Sequence, residues 1–294
     1  MRLAVVGSIN TDMTVTAERI PLKGETLMGS SLSYIPGGKG ANQAVAMAKL
    51  GAAVEMFGCV GDDSNGEKML ENLKAVGVGT EHIQILKGVP TGIAMITVGD
   101  NDNTIIVVPG ANGKVDRAYI DSIKSELEKF DMVVLQHEIP LETVHYVIEF
   151  CYEKGIKIVL NPAPAAVPME IIDKVTYVTP NEHEAVLIFG DKLSTEDLLR
   201  KYPEKLVITQ GSRGVSTCLK DGRILNIPAR KAQVVDTTGA GDTLNGAFSV
   251  QIAEGKAIED ALTYANVAAS LSTEKFGAQT GMPTAEEVET ELKK

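Results

Sequence analysis

Fully apolar runs recur along this chain, and amphipathic stretches of helical length separate them. Leu3, Ala4, Val5 and Val6 precede Gly7 with no polar alternation, the mark of a strand buried on both faces. Further strands are expected at 54–59, 132–136, 157–160, 177–179 and 206–209. Helical periodicity fills 41–50, 67–75, 117–129, 141–154 and 182–189, and the tail reads as helices at 240–254, 258–275 and 285–292. Strands alternating with helices predict an α/β fold, with a mostly parallel central sheet covered by helices on both faces.

Two regions break this rhythm. Residues 12–35 and 91–108 carry β-like runs with few helix signals. Gly99, Asp100, Asn101, Asp102 and Asn103 form a turn-rich loop between the runs 91–98 and 104–108, which predicts a hairpin. No linker or repeat divides the chain, so one domain, 1–294, with a small β lid is expected. The lid would exclude water from a reacting phosphate. Its apolar, β-branched strands would present one face to a ligand and the other to a second subunit, which predicts a homodimer.

Apolar residues make up 44% of the chain and the net charge is −11. That balance argues against nucleic acid or an anionic membrane as the main partner. No apolar run approaches membrane-spanning length, and the run 3–6 is too short for a signal peptide. Cys59, Cys151 and Cys218 form no paired motif and are expected as reduced, buried thiols of a cytoplasmic protein.

The most specific chemistry lies in Asp236-Thr237-Thr238-Gly239-Ala240-Gly241-Asp242, which runs into an amphipathic helix. A helix start exposes unpaired N–H groups of partial positive charge, and glycine lets an anion come close to them. A carboxylate beside that anion is unfavourable unless it handles a proton or a metal. The combination suits phosphoryl transfer, with donors cradling the phosphate and a base waiting for a hydroxyl. Gly37-Gly38-Lys39-Gly40-Ala41-Asn42-Gln43 is neither a Walker A loop nor a dinucleotide fingerprint; it offers Lys39 and Asn42 at a helix start, suited to holding hydroxyls. Asn10 and Asp12 follow the first strand. Asn181 and Glu184 have capping-box spacing, and Thr209–Gly214 is a polar turn after another strand. Ser64 and Glu67 read as a further capping box. In a parallel sheet such strand ends share one edge, so these motifs converge on one crevice.

These residues resemble the ribokinase-like (PfkB) carbohydrate kinases, through almost the whole chain. Residues 37–46 look like the family's first signature, 236–242 its second, and 181–184 its NxxE element. The resemblance implies a three-layer α/β/α fold and ATP-dependent phosphorylation of the 5-hydroxyl of D-ribose. Asp242 would be the base, and the N–H groups of Gly239, Ala240 and Gly241 the anion hole. Asn10, Asp12, Gly38, Lys39, Asn42 and Glu138 match sugar-binding positions. Asn181, Thr209, Gln210, Gly211, Ser212, Arg213, Gly214, Gly241 and Asn266 match the nucleotide side, and Glu184 the acid linked to Mg²⁺ and phosphate. Asp236, Thr238, Ser272, Lys275, Gly277 and Gly281 match the site of an activating monovalent cation such as K⁺. Residue 281 is Gly where relatives often carry Ser, so one hydroxyl ligand is missing. The alternatives are a kinase for deoxyribose, fructose or a nucleoside such as adenosine, and a non-catalytic ligand-binding protein on the same fold.

Overall fold

A computed structural model describes residues 1–100, 102–165 and 169–294. Its strands are β1 (Leu3–Val6), β2 (Asn10–Thr16), β3 (Ser31–Gly37), β4 (Val54–Gly61), β5 (Gly79–Leu86), β6 (Gly92–Gly99), β7 (Asp102–Val108), β8 (Met132–Leu135), β9 (Lys157–Leu160), β10 (Tyr177–Val178), β11 (Val207–Thr209), β12 (Val215–Cys218) and β13 (Ile224–Ile227). The helices are α1 (Lys39–Lys49), α2 (Ser64–Ala75), α3 (Arg117–Leu127), α4 (Leu141–Lys154), α5 (Met169–Ile172), α6 (Glu182–Phe189), α7 (Thr195–Lys201), α8 (Ala240–Ala253), α9 (Ile258–Ser272), α10 (Ala278–Gly281) and α11 (Ala285–Leu292).

The central sheet runs β10-β9-β8-β1-β4-β5, all parallel. Parallel bridges from Val178 to Leu206 and from Asn181 to Thr209 attach β11 to its β10 edge, and β12 and β13 extend it antiparallel. The period-2 pleat of the apolar strands sorts their side chains into two cores. Leu3, Val5, Met132 and Val134 join residues of α1, α8 and α9 on one face. Ala4, Val6, Val133 and Leu135 join residues of α3 and α4 on the other. Both faces are thereby covered, as a parallel sheet requires.

The second sheet, β3-β2-β6-β7, contains the irregular regions of the sequence. The expected hairpin is present: β6 and β7 pair antiparallel from Ile93–Val108 to Gly99–Asp102. Asn101, within that turn, lies outside the described residues. The small sheet meets the body at Asn10, Gly37 and Gly92, which are buried, and its far strand β7 is exposed along its whole length.

One local expectation changes. The cap of α2 is Asp63, not Ser64: Asp63 Oδ1 accepts from Gly66 N at 2.8 Å. Starting one residue earlier lets the same carboxylate also accept from Thr91 N at 2.9 Å, tying α2 to the entry of β6. The edge strand β5 and the short helix α7 were not read from the sequence. The capping box at Asn181 and Glu184 is present, with both bonds at 2.8 Å.

Candidate active site

Helix α8 begins at Gly239, whose φ of 77° suits glycine. A Cβ there would lie 2.8 Å from Ala278 Cβ, so packing as well as φ demands glycine. Gly241 differs: a Cβ would meet nothing within 4 Å, and the space above this first turn is open. The Ala240 N–H makes a long bond of 3.2 Å to Thr237 O. The first-turn N–H groups have no intrahelical acceptor and carry the positive end of the helix dipole.

Asp242 sits in that first turn and is 7% exposed. Its Oδ2 accepts from Asn42 Nδ2 at 2.9 Å and its Oδ1 from Gln43 Nε2 at 3.0 Å. Both donors lie on α1, which starts at Gly38, where φ is 89° and a Cβ would strike Asn10 N at 2.7 Å. Glycine at 38 therefore lets α1 abut the backbone between β1 and β2 and places Lys39 at its start. Glu138, just beyond β8, accepts from Ser8 Oγ at 2.6 Å and Lys39 N at 3.0 Å through the same Oε2. Asn112 Nδ2 donates to Asn10 Oδ1 at 2.7 Å. Asp12 lies against Gly37, where an added Cβ would be 2.3 Å from both carboxylate oxygens.

Three acids and one lysine thus share this end of the site. Burial, then the charges of Glu138 and Asp242, push Asp12 up to about 7, although Lys39 pulls it down. Burial works against the Lys39 ammonium, but Asp242, Glu138, Glu184 and Asp12 outweigh it and raise its pKa. Glu184 is also raised, chiefly by burial. A neutral ligand that donates hydroxyl hydrogens to crowded carboxylates fits such a place; an anion does not.

A cavity of about 840 Å³ opens on the other side of Asp242. Asn181, Glu184, Thr209, Gly211, Ser212 and Gly214 line it, as do Gly239, Ala240, Gly241 and Asn266. Lys39 and Asp242 stand where it approaches the acidic end. Two residues of the expected nucleotide turn are engaged elsewhere. Gln210 Oε1 accepts from Ser216 Oγ at 2.7 Å, and Arg213 pairs with Glu182. Asn266 donates to Pro228 O at 2.7 Å and Ile227 O at 3.3 Å. It thereby anchors the segment that continues as Ala229–Val234, a cavity wall the sequence reading missed.

The remaining expected positions gather behind the α8 turn. Asp236 Oδ1 accepts from Thr238 N at 2.9 Å, and Oδ2 from Gly277 N at 2.9 Å. These bonds outweigh burial and lower its pKa. A Cβ at Gly281 would lie 2.6 Å from Ser272 O and 3.3 Å from Lys275 O, so two carbonyl oxygens converge on the space beside that glycine. The Lys275 ammonium turns away to Glu287, 2.9 Å distant. Among the described residues no group of three His, Cys, Asp or Glu side chains is placed to hold a metal.

Several polar residues at the site were not singled out from the sequence. Ser8, Gln43, Asn112, Gln136, Asn161, Thr179, Asn245 and Gln279 are all buried. Gln136 and Asn161 each follow an apolar strand directly, the position already used to select Asn10, so the same rule could have found them.

The chain belongs to the family described as pfkB family carbohydrate kinase, whose model matches residues 1–285. It is 50% identical over 288 residues to the ribokinase of Bacillus subtilis, covering 98% of each chain. The crystal structure of ribokinase from Thermotoga maritima superposes with a TM-score of 0.91 at 35% identity, covering 99% of both chains. The structure of Arabidopsis thaliana ribokinase complexed with ribose and ATP gives a TM-score of 0.91 at 32% identity, covering 99% of this chain and 98% of that one.

Proposed function

We propose that this protein transfers the γ-phosphoryl group of ATP to the 5-hydroxyl of D-ribose, giving ribose 5-phosphate. The observation that carries the reading is the position of Asp242. Its buried carboxylate stands between a polar, acid-rich cluster and an 840 Å³ cavity that begins at a helix N-terminus. Ribose, rich in hydroxyl donors, suits the side of Asn10, Asp12, Gly38, Lys39, Asn42 and Glu138. ATP suits the cavity between the Thr209–Gly214 turn and Asn266, with its phosphates toward Gly241.

Asp242 accepts the hydroxyl proton as the sugar oxygen attacks the γ-phosphorus, and the bond from that phosphorus to the departing ADP oxygen breaks. The first-turn N–H groups of α8 and the Lys39 ammonium stabilise the charge spreading over the phosphoryl oxygens. Mg²⁺, arriving with ATP, would supply further neutralisation, and Glu184, with one carboxylate oxygen engaged by its cap, would orient water around it. The carbonyls of Ser272 and Lys275 form a cradle suited to a monovalent cation such as K⁺, braced through Asp236, Thr238 and Gly277. A cation there would steady the turn that carries the anion-binding groups.

The small sheet β3-β2-β6-β7 serves as a lid over the sugar, within one domain. Its outer strand β7 is the sheet edge among the described residues and bears exposed Ile105, Ile106, Val107 and Val108, a surface suited to a second copy of the chain. Use of ATP and three buried free thiols support a cytoplasmic location. ADP release measured with ATP and a panel of ribose, deoxyribose, fructose and adenosine tests the reading. Ribose should give the highest kcat/KM; a higher value for any other acceptor would reassign the substrate.

A further inference from the structure

Resting on the role of Asp242 as base, we propose that Gln43 is a positioning residue that holds Oδ1 of Asp242 throughout the reaction, so that Oδ2 is the oxygen that takes the proton. The two carboxylate oxygens are held in different ways. Gln43 is 0% exposed, and its amide nitrogen and carbonyl oxygen are both engaged. Its Nε2 donates to Asp242 Oδ1 at 3.0 Å and to Asn161 Oδ1 at 3.2 Å, while its Oε1 accepts from Gln136 Nε2 at 2.6 Å. Rotating Gln43 away would strand three buried groups at once. Oδ2 is held by Asn42, whose own Oδ1 accepts from Gln279 Nε2 at 3.0 Å; Asn42 belongs to the proposed sugar side, where a sugar hydroxyl would join or replace its amide at Oδ2.

The polarity of the network runs outward from the base. An ionised carboxylate only accepts, so Gln43 must turn its NH₂ toward Asp242. Its carbonyl then faces Gln136, which must donate. That leaves Gln136 Oε1 buried, against Gly7, with no partner among the described residues. An orphaned amide oxygen at the far end is the expected consequence of fixing an ionised group at the near end. The network also closes on the phosphate side. Asn161 Nδ2 donates to Thr179 O at 3.1 Å, Thr179 Oγ1 donates to Asn245 Oδ1, and Asn245 Nδ2 donates to Gly241 O at 2.9 Å. One ring of side chains therefore fixes both the carboxylate and the backbone of the turn that receives the phosphate.

The test is a kinetic cycle of Gln43→Met, Asp242→Asn and the double variant, with thermal melts of each. Gln43→Met should lower kcat about tenfold to hundredfold, the scale of a misplaced reacting group, with the KM values for ribose and ATP within about twofold. In the Asp242→Asn background it should cause no further loss. Unchanged kcat in Gln43→Met, or losses that multiply in the double variant, would overturn the proposal. Near-normal turnover in Asp242→Asn would instead remove the base assignment beneath it. A crystal structure of the unaltered protein with ribose and a non-hydrolysable ATP analogue decides independently of how the variants fold. A sugar hydroxyl on Oδ2 with Gln43 still on Oδ1 is expected; a hydroxyl on Oδ1 contradicts the proposal.

Discussion

Asp12 gives the sharpest residue-scale consequence. Its carboxyl is pushed up from 3.8 to about 7 in the folded protein by burial and by Glu138 and Asp242. Between those values the folded state binds a proton that the unfolded chain has lost. Stability from this group is therefore present at low pH and falls as pH rises toward 7. Asp12→Asn removes that penalty. Without ligand at pH 8, its melting temperature should exceed the wild type's by about 2 °C or more, while the KM for ribose rises. A lower melting temperature would show that the ionised carboxylate is paired. The sequence carried Asp12 through its place after the first strand, but not its crowding. Glu138 lies far from it in the chain, and only folding brings their charges together.

At the scale of elements, the start of α8 separates two glycines that look alike in sequence. Gly239 is fixed by its positive φ and by contact with Ala278; Gly241 faces open space. Gly239→Ala should therefore destabilise the protein, by about 1–2 kcal/mol from backbone conformation alone. Gly241→Ala should melt normally yet lose turnover, because its methyl group would enter the proposed phosphate site. Denaturant unfolding beside ADP release checks the pair, and equal stability losses would undo the distinction. Elements with strong patterns were legible: β1, β8, β9, α4 and α6 lie where apolar runs and caps placed them. The edge strand β5 was not, because its half-exposed residues alternate too weakly. The wall 229–234 was hidden for another reason. It belongs to no helix or strand, and Asn266 fixes it from a distant helix.

Across the whole molecule, one sheet edge gathers residues from both ends of the chain. The parallel order places the ends of β1, β8, β9, β10 and β11 side by side, and α1 and α8 then bring the two signature motifs into hydrogen-bonding distance at Asn42 and Asp242. That convergence was legible from strand–helix alternation, and the same rule reaches Gln136 and Asn161, which follow apolar strands; Gln43 and Asn245 were not legible, since on helices they look like ordinary polar residues. The exposed β7 edge belongs to this scale too. Light scattering at micromolar concentration should give a dimer, and Ile106→Lys, at a side chain 67% exposed, should give a monomer. A monomeric wild type would exclude association through this sheet.

Catalysis turns on a proton passing from the sugar to Asp242. Ribose-dependent ADP release by Asp242→Asn, with ATP affinity measured by calorimetry, tests it most directly. The variant should melt cooperatively and bind ATP within about twofold of wild type, while turnover falls on the order of 10²–10⁴-fold. Turnover close to wild type would contradict the mechanism.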